Sequence, residues 1–461
     1  MEKQTFVVRP VLFPILICLL FATGVLSVQA AKVGEKVNAG SNVVSAKSLQ
    51  KIIDRAERGE TIQLKPGIYK GPVRIDKPLA LAGSKETVVD GGGNGHVIAV
   101  HSGDVTIQGL TIQNSGKRNE DSGIFVDDGA RVILKNNVLK DVHFGVYIKN
   151  GTGVTVSGNE IIGGSGHFSA KGNGIHIFKG TDNVIENNCI EGVQDGIYFD
   201  FAYGVDVRGN EIRHSRYGMH YMFSEKIKTE NNLAENNMIG FMIMDSGDLE
   251  FTGNKIYDQF HFRGFGIYIY QSKDILFHRN EIVRNSVGIS FEWSENSVFR
   301  RNLIAANQIG LQFRKENGKN VFTENNFVGN IVSSAVGGKA YRLDDGRKGN
   351  YWDDYKGYDT DGDGIGDNPY RAGSVYDALL KWQPHWQFYF ESPAVMMWTR
   401  AEAMFPTNPH APVYDDHPLV RPVRIWNGRG AESGINGGLL LSGLVMFAVS
   451  LAIFLKGRKG I

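Results

Sequence analysis

Asn137 and Asn159 stand 22 residues apart, as do Asn188, Asn210, Asn232 and Asn254, and then Asn280 and Asn302. A glycine eight residues on keeps step as Gly145, Gly196, Gly218, Gly240, Gly288 and Gly310. Self-similarity at a fixed period means one supersecondary unit stacked on copies of itself, each burying its neighbour's apolar face. Inside the unit, Val205 to Ile212 alternates and turns, then Gly218 to Met222 alternates again, with no helical stripe. The unit is also too short for a propeller blade. These constraints predict an all-β chain folded as a right-handed parallel β-helix, a solenoid with one coil per repeat.

Stacking turns the period into coordinates. Equivalent residues in successive coils lie about 4.8 Å apart, and neighbours along a strand face opposite sides. After the strand glycine, pairs such as Ile197/Phe199, Met219/Tyr221, Phe241/Ile243 and Ile267/Ile269 are predicted to face the core. The asparagines are predicted to form an internal ladder that satisfies turn backbone groups a hydrocarbon core could not.

Both chain ends carry membrane signals. Lys3 and Arg9 precede an apolar run from Val11 to Val28, with Ala30 before Ala31, the order of a secretory signal. Gly437 to Leu455 is 19 residues without charge, followed by Lys456, Arg458 and Lys459, which reads as a transmembrane helix with a cytoplasmic tail. Fifty basic residues balance 49 acidic ones, which gives no field for nucleic acid. Cleavage of the signal would leave Cys189 as the only thiol, outward-facing and unable to form an internal disulfide.

Ser48 to Arg58 reads as a capping helix with Leu49, Ile52, Ile53 and Ala56 on one face. The expected organisation is a signal peptide over 1–30, the β-helix over 31–345 and an acidic cap loop over 346–375. An irregular Pro-rich segment over 376–434, a transmembrane helix over 435–456 and a tail over 457–461 follow.

Chemistry-bearing residues gather on one edge. His143, His167, His214 and His261 fall in the turn before the strand glycine, and His176 and His220 take the outward place just after it. Five of the ten methionines lie between Met219 and Met244. The register sets His220 over Met242 and Met222 over Met244, as an exposed patch. Imidazole and thioether donors suit Cu(I) above hard cations. His220, Met222, Met242 and Met244 are therefore the expected Cu(I) ligands, with His176, His214 and Met238 as secondary ones.

Asp359, Asp361, Asp363, Ile365 and Asp367 alternate around glycines as in a calcium loop, although Tyr370 stands where an EF-hand carries glutamate. A carbohydrate-active enzyme would need two carboxylates in one groove. Asp200 and Glu292, the outward carboxylates, are four coils apart, about 19 Å. That leaves a carbohydrate enzyme or a non-catalytic surface solenoid as the alternatives to metal binding.

The coils, together with Gly349 to Tyr355 and Gly357 to Tyr370, make the chain resemble the NosD family. Those proteins are periplasmic copper-binding components of nitrous oxide reductase maturation. The resemblance covers roughly residues 40–430 and implies a non-enzymatic accessory protein. Its implied partners are an ABC transporter permease and ATPase, a copper chaperone and nitrous oxide reductase. The C-terminal anchor is not a feature expected of the family. A helix from Ala394 to Phe405, carrying Met396, Met397, Arg400, Met404 and Phe405, is the expected transporter-docking element.

Overall fold

The computed structural model describes residues 43–44, 46–118, 120–259, 261, 264–315, 318–336, 341–372, 392–395, 397–398 and 413–425. The segments expected to be a signal peptide and a C-terminal anchor lie outside the described residues. Among the described residues, no helix is long and apolar enough to cross a membrane.

Three parallel sheets of fourteen, twelve and twelve strands run the length of the stack, and successive strands visit each sheet in turn. The crossover hand is the right-handed one of parallel β connections. One coil shows the pattern. Asp206–Arg208 and Glu211–Arg213 are short strands flanking Asn210, and Tyr217–Met222 is the longer strand of the third sheet. Tyr217–Met222 pairs in parallel with Ile239–Met244. We refer to this third sheet as the site sheet.

The core follows the alternation of the strands. Ile197, Phe199, Met219, Tyr221, Phe241 and Ile243 are all fully buried. Aromatic rings stack at the coil repeat, as in Phe251–Phe277–Phe299–Phe322, with centroids 4.5 to 4.6 Å apart. The glycine column has a steric cause: a Cβ on Gly218 would stand 2.6 Å from Gly240 O, and one on Gly196 2.5 Å from Gly218 O.

The asparagine ladder is present and longer than the period revealed. The backbone N and Nδ2 of Asn210 both donate to Asn232 Oδ1 at 2.9 Å, and Nδ2 also donates to Ile185 O. The same pattern continues through Asn302, Asn325 and Asn350. Asp415 ends the chain of bonds: its Oδ2 accepts Asn350 N, Asn350 Nδ2 and Trp352 Nε1 at 2.7 to 3.0 Å.

The two ends are closed differently. The N-terminal helix Ala46–Arg55 buries Leu49 and Ile53, with Ala56 following it. Ile52, expected on that face, is instead 40% exposed. Its neighbour Gln50 exchanges two hydrogen bonds with the backbone of Arg74, blunting the edge of the first strand of the site sheet. At the far end, Tyr351–Trp352 adds a rung beyond residue 345, and Trp352 lies between the rings of Phe327 and Tyr370. A three-stranded sheet of Tyr341–Arg342, Val413–Asp415 and Tyr370–Ala372 completes that end.

Candidate functional site

Along the outward side of the site sheet, one register column reads Phe125, Tyr147, His176, Tyr198, His220, Met242, Tyr268. Beside it, two places further along the strands, Asp200, Met222, Met244 and Tyr270 align. The predicted pairings His220 with Met242 and Met222 with Met244 are therefore correct.

The expected exposed patch is not. His220 is 7% and Met242 9% exposed, while Met222 and Met244 are half-buried. The reason is ring stacking at the coil spacing. Tyr198 lies parallel to His220, with centroids 4.5 Å apart, and Tyr217 meets His220 edge-on at 5.2 Å. The Tyr198 hydroxyl also donates to Met222 Sδ at 3.1 Å, so one residue braces both an imidazole and a thioether.

His176 stands on the other side of Tyr198, centroid to centroid 4.7 Å, with Tyr147 at 4.6 Å beyond it. Burial pushes its pKa down to about 4, opposed by nearby Asp195 and reinforced by His220. The Nε2 atoms of both His176 and His220 are buried and have no hydrogen-bond partner among the described residues. Buried polar atoms are nearly always paired, so two unpartnered ring nitrogens in one column single this stretch out as the candidate site.

The sequence reading missed the residue that holds His220. Asp195 is fully buried, with Oδ2 3.0 Å from His220 Nδ1, and Arg216 grips both its oxygens at 2.7 and 2.8 Å. A signal existed. Asp195 occupies a register place where later coils carry Tyr217, Ile239, Phe265, Val287 and Ile309. A charge in an apolar column is conspicuous once the register is known.

The secondary donors divide. His176 joins the column. His214 is exposed and pairs with Glu191 on another sheet at 2.9 Å, because its left-handed turn conformation carries it past the corner. Met238 is half-buried in the turn leading into Ile239–Met244. At the rim, Phe201 and Phe223 follow Asp200 and Met222 in left-handed conformation, stack at 4.9 Å and stay 51% and 40% exposed.

Elsewhere, Asp359, Asp361 and Asp363 bring ligand atoms within 4.8 Å of one another. Among the described residues they are the only such group of three or more His, Cys, Asp or Glu. Each already accepts a backbone N–H of its own turn. Asp367 does not point into this group; it accepts from the Thr360 backbone and hydroxyl instead. Ile365 spends its N–H on Asp363 and bridges to Leu419.

Of the expected docking helix, residues 394–395 and 397–398 are described and helical. Val395 packs against Val287, Ile309 and Val332, whereas Met397 and Trp398 are exposed. Met396, Arg400, Met404 and Phe405 lie outside the described residues. Cys189 is exposed, as expected.

Comparison with known proteins adds family information. The family described as periplasmic copper-binding protein (NosD) matches residues 159–357, and a family of unknown function matches residues 73–207. A protein of Pseudomonas aeruginosa named "Probable ABC transporter binding protein NosD" is 31% identical over 423 residues, covering 80% of this chain and 90% of that one. Its namesake from Stutzerimonas stutzeri is 29% identical over 398 residues, covering 78% and 86%. Among solved structures, the Streptococcus pneumoniae surface adhesin PfbA superposes with a TM-score of 0.52 at 13% identity, covering 63% of this chain and 88% of that one. The catalytic domain of a GH87 α-1,3-glucanase, in complex with nigerose, gives 0.52 at 14% identity and 68% of each chain. At such identities these two likenesses concern the fold alone.

Proposed function

This chain belongs to the NosD family of periplasmic copper-binding proteins, and from that premise we propose that it holds Cu(I) at His220, Met222, Met242 and Met244. It would carry the ion as cargo for assembly of the nitrous oxide reductase copper centres. The observation that carries this reading is the buried, unpartnered Nε2 of His220, in register with Met242 and two places along the strand from Met222. One imidazole and three thioethers form a soft donor set that favours Cu(I) over hard cations. Burial of His220 and Met242 shields half of the donor set from water, while the half-buried Met222 and Met244 leave a way in and out for a cargo ion.

Competition titration with a Cu(I) chelator tests the assignment. About one Cu(I) per chain is expected, and replacing all four donors by alanine should abolish binding. An unchanged affinity in that variant would show that copper sits elsewhere.

The two relatives named as ABC transporter binding proteins support a second element of the proposal, a dock for a permease and its ATPase around residues 392–405. Val395 anchors this segment on the site sheet while Met397 and Trp398 present apolar surface outward. An exposed apolar face beside an anchored one is what a partner surface needs. Deleting 392–405 should leave Cu(I) affinity intact and abolish co-purification with the transporter; retained co-purification refutes the dock.

A further inference from the structure

Resting on the copper assignment above, we propose that Asp195, clamped by Arg216, is a positioning residue that makes His220, and not His176, the imidazole that meets the metal. The two histidines look equivalent in the register, two coils apart with Tyr198 between them. Their hydrogen bonds make them opposites.

A neutral imidazole carries one N–H and one lone pair, and the partner of Nδ1 decides which nitrogen holds which. At His220 that partner is Asp195 Oδ2, 3.0 Å away. Arg216 donates to both Asp195 oxygens at 2.8 and 2.7 Å, a bidentate ion pair that a carboxylate makes in its ionised form. An ionised carboxylate only accepts, so His220 donates from Nδ1 and keeps the lone pair on Nε2. That Nε2 is the buried atom without a partner.

At His176 the partner is Asn173. The Asn173 Oδ1 accepts the backbone N–H of Asp195 at 3.2 Å, which turns the amide NH2 toward His176 Nδ1 at 3.3 Å. An amide NH2 only donates, so His176 Nδ1 accepts and its proton sits on Nε2. His176 thus presents an N–H where His220 presents a lone pair. The Asp195 residue organises both ends of this difference, its carboxylate fixing one ring and its backbone N–H orienting the amide that fixes the other.

Arg216 makes the carboxylate immobile. Its bidentate grip consumes one lone-pair direction on each oxygen and leaves Oδ2 aimed at the imidazole. A carboxylate behind a ligating imidazole fixes the ring and raises its basicity, and losing such a partner typically weakens metal affinity about 10- to 100-fold.

Two measurements test the inference. In the unaltered, metal-free protein, two-bond proton–nitrogen NMR correlations of 15N-histidine, assigned with H176Q and H220Q variants, should show the proton on Nδ1 of His220 and on Nε2 of His176. The reverse pattern at His220 overturns the proposal without any folding ambiguity. The double variant D195A/R216Q avoids stranding an unpaired guanidinium, and should lose about 10- to 100-fold in Cu(I) affinity by chelator competition. D195N, which keeps an acceptor oxygen but no charge, should fall between the double variant and wild type. H220A separates the two ideas. If it loses copper while a cooperatively melting D195A/R216Q binds as wild type does, the positioning role is wrong. If H220A also binds as wild type does, the copper assignment itself fails, and the positioning role with it.

Discussion

His176 sits where accepting a proton is most difficult. Ringed by Tyr147 and Tyr198 and buried, it has its pKa pushed down to about 4, while a histidine in the unfolded chain titrates near 6.5. Between those values the unfolded state binds the extra proton and the native state does not. Stability contributed by this residue is therefore complete above about pH 6.5 and falls as the pH drops toward about 4. A gap of about 2.5 pH units at about 1.4 kcal/mol each corresponds to roughly 3.5 kcal/mol. Thermal melts of the metal-free protein should show this loss on acidification, and an H176Q variant should flatten the curve over the same window. An H176Q profile parallel to wild type would mean that the ring finds water or a partner the geometry does not give it.

The asparagine ladder concentrates its energetics at its end. Interior members satisfy one another, but Asn350 and Trp352 depend on a residue 65 and 63 positions further along the chain. Replacing Asp415 by alanine strands three buried donors. At about 1 to 3 kcal/mol for the first unsatisfied group and less for others that relax, the expected loss is roughly 3 kcal/mol. D415N keeps an oxygen for those donors but sets its NH2 against the His417 N–H, which now bonds to Oδ1 at 3.1 Å, so its loss should be roughly 1 kcal/mol. Denaturant unfolding distinguishes them, and equal losses would mean that charge rather than hydrogen bonding matters at this position. This element also shows what a sequence can reveal. Asparagines 137 to 302 were legible because they repeat; Asp415 was not, because it enters the ladder from outside the period. Likewise His220 and Met242 were legible as register partners, whereas their burial was not, since ring stacking between coils leaves no mark in the alternation of one strand. Asp195 was readable in principle as a charge in an apolar column, but its partners Arg216 and His220 lie one coil away and become visible only when the coils are superposed.

At the scale of the molecule, the site lies mid-stack, with covered ends on either side. The helix with Gln50 blunts one edge and the three-stranded sheet with Asp415 closes the other. The Gln50 closure meets the His220 column only at Arg74, its first member and six coils from His220, so loss of either end should be felt as stability rather than as altered metal chemistry. Regular stacking also makes the protein a ruler. From Tyr217, beside His220, the register steps to Ile239, Phe265 and Val287, where Val395 is anchored. Three coils at about 4.8 Å each set that separation along the axis at about 14 Å. A solenoid can change such a distance only by whole coils, so the reach from metal to anchored segment is counted in integers and cannot drift by fractions as loops lengthen or shorten.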